Sequence, residues 1–219
     1  MRPTTFVGLV LAALPLIASP SRALAQVTLE LGPLAGAYVP TRDFPGINAW
    51  DVRLPATASG LSAMAPGVDA RVWFGPHLGF ELQGAVAAST FQGEIPLGCP
   101  PPGPCASIPQ DHATITIALA QVTYRPVSRV PFRVSAGAGI VRHGGFAYRP
   151  FNAPTPIAGA LGADLDLPLG RALVASLGVT TLVYALNVGD NLGYSYEHGT
   201  QVDLLPHVSL AWRWRVTGR

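Results

Sequence analysis

The chain has 219 residues, of which 12% are charged, against about 25% in an average globular protein, while 49% are hydrophobic and Gly (24) and Pro (22) are abundant. That balance excludes a disordered polar chain and a coiled coil, which needs charged flanking positions. The formal net charge is only +2, every basic residue is an arginine and no basic run occurs, so nucleic acid is excluded as a partner.

Residues 1–25, MRPTTFVGLVLAALPLIASPSRALA, read as a signal peptide. Arg2 is the positive n-region, Phe6 to Ala18 the apolar h-region, and Ala23-Leu24-Ala25 the small-residue cleavage site ahead of Gln26. The h-region falls short of the ~20 residues that a spanning helix takes. Cleavage removes Arg2 and Arg22 and leaves 12 arginines against 12 acidic residues. The remainder, residues 26–219, has a length that suits one domain.

After Gln26 no segment sustains helical periodicity; what recurs is apolar alternation at period two. It predicts strands over 27–39, 68–74, 78–90, 113–125, 132–142, 157–167, 171–186 and 201–216. Three connections are short and built from Pro and Gly: 75–77, 126–131 and 168–170. The other four, 40–67, 91–112, 143–156 and 187–200, are long. Short turns at one end and long loops at the other describe an all-β, eight-stranded, antiparallel up-and-down barrel with both termini at the short-turn end.

The second long loop carries Cys99 and Cys105 in CPPPGPC, the only cysteines. Export makes a local disulfide between them the expected state. A zinc site needs four ligands, and no His or Cys cluster accompanies the pair, so no metal and no cofactor is expected.

Each strand has a large aliphatic face and a face of Ala, Gly, Ser and sparse charges. A soluble barrel would turn many Lys and Glu to water. Small residues with both signs of charge instead suit the interior of an eight-stranded barrel, which side chains just fill. The expected lumenal set is Glu30, Asp69, Arg71, Glu81, Arg133, Asp164, Asp166, Asp203, His207, Arg213 and Arg215. Phe74, Phe80, Tyr124, Phe132, Trp212 and Trp214 gather where strands meet the short turns, as a membrane-interface girdle does. At the other end Tyr38, Phe91, Phe146 and Tyr184 are candidates. One strand resists: Ile115, Ile117 and Leu119 share a face, but Val122 and Tyr124 take the opposite one and Gln121 lands on the lipid side. A β-bulge near Ala120 would restore the pattern.

With its signal peptide, eight alternating strands and Gly-rich stretches such as SAGAGIVR (135–142), the chain resembles the small eight-stranded outer-membrane barrels of Gram-negative bacteria, the OmpA/OmpX-like group. The resemblance covers residues 27–216. It implies insertion in the outer membrane, loops outside, turns in the periplasm, and a structural or surface-recognition role. It also implies contact with outer-membrane lipid and lipopolysaccharide, and with the outer-membrane assembly machinery. A monomer is expected, with any extracellular ligand held by the loops. One departure is that Trp214 is followed by RVTGR, where the group's last strand ends on an aromatic; this weakens the assembly signal. With no peptidoglycan-binding segment after it, tethering to the cell wall is not expected.

Two alternatives remain open. A soluble exported barrel of lipocalin type, holding an apolar ligand, would reverse the faces. His207-Val208-Ser209 is similar to the His-x-Ser pair of outer-membrane lipid A deacylases, with Asp203 on the same face as a partner for His207. Residues two apart share a strand face by default, however, so a lumenal polar layer explains the pair equally.

Overall fold

The computed structural model describes residues 26–41, 57–60, 62–94, 111–127, 130–145, 155–189 and 195–217. The expected signal peptide, Cys99 and Cys105 lie outside them. The strands are β1 (Gln26–Pro40), β2 (Thr57–Gly60), β3 (Ala63–Phe74), β4 (Leu78–Glu94), β5 (Asp111–Tyr124), β6 (Phe132–Gly145), β7 (Ile157–Pro168), β8 (Leu173–Gly189) and β9 (Ser195–Thr217). β2 and β3 both pair with β4, at Phe91 to Glu94 and at Leu78 to Ala85, so they form one interrupted stave. Each stave pairs antiparallel with the next, and β1 pairs with β9, which closes the barrel at eight staves.

The register runs from Glu30 through Arg71, Glu81, Gln121, Gly137, Ala160, Leu182 and Asp203, and returns to β1 at Pro40, ten residues further on. That stagger tilts the staves, and eight of them leave an interior only side chains wide.

The short turns fall where the Pro and Gly residues place them. Gly75 has φ 78°, a left-handed conformation that glycine takes without strain. The turn it opens is tied to the end of β5, where Arg125 N–H donates to the His77 carbonyl (2.7 Å).

Strands outrun the alternation at the long-loop end. β2 and the start of β3 occupy part of the span expected as loop 40–67. In β3 the inward residues there are Ala65 and Gly67, and outward Pro66 has no N–H, so the apolar contrast is faint. β9 likewise begins at Ser195, ahead of the expected residue 201.

The outward face is a belt of large apolar side chains. Leu31, Val68, Leu82, Val86, Ile140, Leu161, Leu165, Leu177, Val208 and Leu210 are all exposed. The six short-turn aromatics, Phe74, Phe80, Tyr124, Phe132, Trp212 and Trp214, stand on the same outward face. At the far end Tyr38 and Tyr184 are buried inside rather than outward, which removes them from a girdle. Phe146 and the Phe91 side chain lie outside the described residues.

The bulge expected near Ala120 is absent. β5 pairs with β4 from Leu78↔Tyr124 to Phe91↔Asp111, and with β6 from Ala113↔Gly145 to Tyr124↔Val134, without a shift. Ile115, Ile117, Leu119 and Gln121 all point inward and are buried, while Val122 and Tyr124 face out. The physical reason is that half of the lumen is itself apolar. Leu34, Ile115, Ile117, Leu119, Val141, Leu182 and Leu205 pack there with inward alanines of β3, β4 and β7. Large aliphatic side chains therefore do not mark the outer face by themselves.

Candidate functional site

The half of the lumen nearer the short turns is ionic. Arg71 of β3 is buried at its hub. It points at Glu30 of β1 (Nη1 to Oε2, 3.3 Å), Glu81 of β4 (Nε to Oε1, 3.4 Å) and Asp69, its neighbour on the same face. It also donates to Ser176 Oγ of β8 (3.1 Å) and Ser209 Oγ of β9 (3.0 Å). One planar guanidinium thus spans the lumen, which its five N–H donors permit.

Arg133 of β6 is the second hub. Its Nη1 donates to Glu81 Oε2 (2.5 Å) and its Nε to Asp166 Oδ1 (3.1 Å). Its Nη2 lies 3.0 Å from Asp164 Oδ1, close enough for an ion pair though poorly aligned as a hydrogen bond. Asp166 also accepts from Ser176 (2.8 Å) and from Arg125 Nη2 (2.8 Å), and Glu30 takes Arg213 Nη2 (2.7 Å). Buried charges cost several kcal/mol each unless paired, and this layer pairs each of its carboxylates.

His207 completes it. Nε2 lies 3.0 Å from Asp164 Oδ1 and Nδ1 3.0 Å from the Leu205 carbonyl. Both partners are acceptors, so a ring carrying both protons satisfies the site. Counted that way, Glu30, Asp69, Glu81, Asp164 and Asp166 balance Arg71, Arg125, Arg133, Arg213 and His207.

Asp203 stands apart from this layer, beside the apolar half. Its Oδ2 accepts from Tyr38 (2.6 Å) and Tyr184 (2.5 Å), and its Oδ1 from Gln201 (2.8 Å). His143 Nε2 lies 3.3 Å from the Tyr184 oxygen. Asp203 is therefore not the partner of His207; Asp164 is. The registers explain this: Asp164 and His207 both pair with Gly178, whereas Asp203 lies four residues further along β9.

Ten of the eleven residues expected inside are thus buried or half-buried on the inward face. The eleventh, Arg215, has the inward parity but sits exposed at the rim. Sequence reading missed Arg125 as a member of the layer, because it follows β5 in a turn; its guanidinium lies 4.0 Å over the ring of Trp73, which shares the inward parity of Asp69 and Arg71 along β3. Tyr38, expected in the far-end girdle, shares parity with Glu30 along β1, and that signal places it inside.

The His207–Ser209 pair does not form a nucleophile and base. Ser209 Oγ donates to Asp69 (3.2 Å) and accepts from Arg71, and both His207 nitrogens are engaged elsewhere. Among the described residues no group of three or more His, Cys, Asp or Glu is arranged to hold a metal ion.

No protein-family model matches the chain, and no curated protein matches it. Solved structures do. The outer membrane protein OprG from Pseudomonas aeruginosa is 15% identical over 90% of this chain and 98% of its own, with a TM-score of 0.50. The outer membrane protein AlkL, solved in lipid bilayers, is 17% identical over 91% of this chain and 94% of its own, with a TM-score of 0.54. Neisserial surface protein A is 9% identical over 85% of this chain and 97% of its own, with a TM-score of 0.51. What this chain shares with them is the fold, the closed eight-staved antiparallel barrel of small outer-membrane proteins.

Proposed function

We propose that the chain is an integral outer-membrane β-barrel with a side-chain-filled lumen, whose long loops carry a structural or surface-recognition role. The facing of the staves carries this reading. Leucine, valine, isoleucine and tryptophan cover the outside, and the ionic layer sits inside. A continuous apolar outer surface of this kind is costly in water and favourable in hydrocarbon. A soluble lipocalin-type barrel needs the opposite facing, with the apolar set around an enclosed ligand.

On this reading residues 1–25 are cleaved on export, the short turns face the periplasm and the long loops face outward. Outer-membrane lipid and lipopolysaccharide surround the belt, the outer-membrane assembly machinery inserts it, and the barrel is a monomer. The loop holding Cys99 and Cys105 is the best candidate for contact with an extracellular ligand, because a disulfide and four nearby prolines reduce the entropy lost on binding.

Membrane fractionation, with heat-modifiable gel mobility of the purified protein, tests the reading. Recovery in the outer-membrane fraction, with a folded band that shifts on boiling, is the expected outcome. A mature protein that stays soluble without detergent overturns it. Lipid A from cells expressing the Ser209→Ala variant is expected to match that from cells expressing the unaltered chain. A lipid A change that Ser209→Ala abolishes would replace the structural reading with the enzymatic one.

A further inference from the structure

The mouth of the lumen at the short-turn end holds a cavity of about 320 Å³ lined by Thr28, Glu30, Trp73, Gly75, Pro76, Arg125, Arg213 and Arg215. Three arginines there face one carboxylate. Arg213 spends Nε and Nη2 on Glu30, and Arg125 spends Nη2 on Asp166. The other donors of these two guanidiniums have no partner among the described residues. Arg215 has no hydrogen bond or ion pair among them at all, and it pairs in register with Thr28, which lines the same cavity.

A second, independent feature points the same way. Trp73 is 2% exposed, lines the cavity, and its indole Nε1–H has no partner among the described residues. The Arg125 guanidinium lies 4.0 Å over its ring, so the indole is coupled to the charge at the mouth and reports on an anion that enters it. The carboxylates nearest the mouth, Glu30 and Asp166, already pair with Arg71, Arg125, Arg133 and Arg213, and none of the described carboxylates pairs with Arg215. A concave mouth with low-dielectric walls concentrates such a positive field.

The geometry points to an anion site in this mouth, taking a phosphate group between the Arg213 and Arg215 guanidiniums against the Trp73 wall. Paired guanidiniums suit phosphate oxygens because their N–H groups meet them two at a time. The volume admits more than a bare ion, so the phosphate comes either free from the aqueous phase or on the phosphoglycerol headgroup of a neighbouring lipid.

The test is NMR of the intact barrel in lipid nanodiscs, following the Trp73 indole N–H and the arginine Nε–H signals. Trp73→Phe assigns the indole. Inorganic phosphate is titrated at constant ionic strength against chloride. A saturable shift at Trp73 and Arg215 with phosphate but not chloride is the expected result. Arg215→Gln should weaken it at least tenfold, and Arg142→Gln, at the far end of β6, should leave it unchanged. If the Trp73 signal is already displaced in phosphatidylglycerol nanodiscs before phosphate is added, the headgroup is the source. If it starts from the same position in phosphatidylglycerol and phosphatidylcholine, free phosphate is. No saturable shift in the unaltered protein, or an equal response to chloride, overturns the site.

Discussion

Asp164 of β7 and His207 of β9 meet at 3.0 Å across a glycine: Gly178 of β8 lies between them, paired with Asp164 on one side and His207 on the other. A Cβ at 178 would overlap Asp164 Oδ1, so the absent side chain is what lets two staves that are not neighbours share an ion pair. Gly178→Ala should push Asp164 off both His207 and Arg133. Breaking a buried pair costs about 3–5 kcal/mol. The expected outcome is a clear fall in the denaturant midpoint of the barrel in lipid vesicles. Gly159→Ala, on the outward face where a Cβ meets only ordinary contacts, should change it little.

Arg133 and Arg215 share a residue type and an inward parity but not a role. Arg133 is fully buried against Glu81, Asp164 and Asp166, whereas Arg215 is exposed. Arg133→Gln leaves those carboxylates short of a cation and should cost about 3–5 kcal/mol of stability. Arg215→Gln should stay within about 0.5 kcal/mol of the unaltered protein, as surface changes away from such features do. Equal unfolding midpoints for the two variants would contradict the ion layer.

The barrel itself was legible because two signals agree: period-two alternation and the rhythm of short Pro/Gly turns. Parity along each strand then gave the inward charges, since Glu30, Asp69, Arg71 and Glu81 fall on one face without any knowledge of the register. Parity gives a face, however, and not a neighbour. The Asp164–His207 contact depends on the stagger between β7, β8 and β9, and so Asp203 was the natural but mistaken partner. The Arg125–Trp73 stack depends on how the turn after β5 folds back towards the lumen, which alternation does not encode.

β5 is where the assumption about faces failed, and it offers a direct check. With a regular register, spin labels placed by cysteine substitution at Ala118, Ala120 and Val122 should all be reached by lipid-dissolved oxygen. Labels at Ile117, Leu119 and Gln121 should all be protected from it. A bulge near Ala120 would move the residues on one side of it to the other face, so protection would change parity between Leu119 and Val122. Unbroken alternation over Ile117 to Val122 is the expected pattern, matching the burial of Ile117 at 1% and the exposure of Val122 at 54%.

Asp203 tests how a carboxylate is held with no cation beside it among the described residues. It is fully buried, and its Oδ2 takes the hydroxyls of Tyr38 from β1 and Tyr184 from β8, the two staves that flank β9. Hydrogen bonds to a charged group are worth about 1.5–3 kcal/mol each. Tyr38→Phe and Tyr184→Phe should therefore each destabilise the barrel by about that amount. Their effects should not add, because both hydroxyls meet the same oxygen and losing one changes what the other is worth. A double-mutant cycle on the unfolding midpoints, run in the unaltered and the Asp203→Asn backgrounds, reads the coupling. It should exceed about 0.5 kcal/mol with Asp203 present and shrink in the Asp203→Asn background. Simple additivity in both would mean that the two tyrosines stabilise their own staves independently and that Asp203 does not join them across β9.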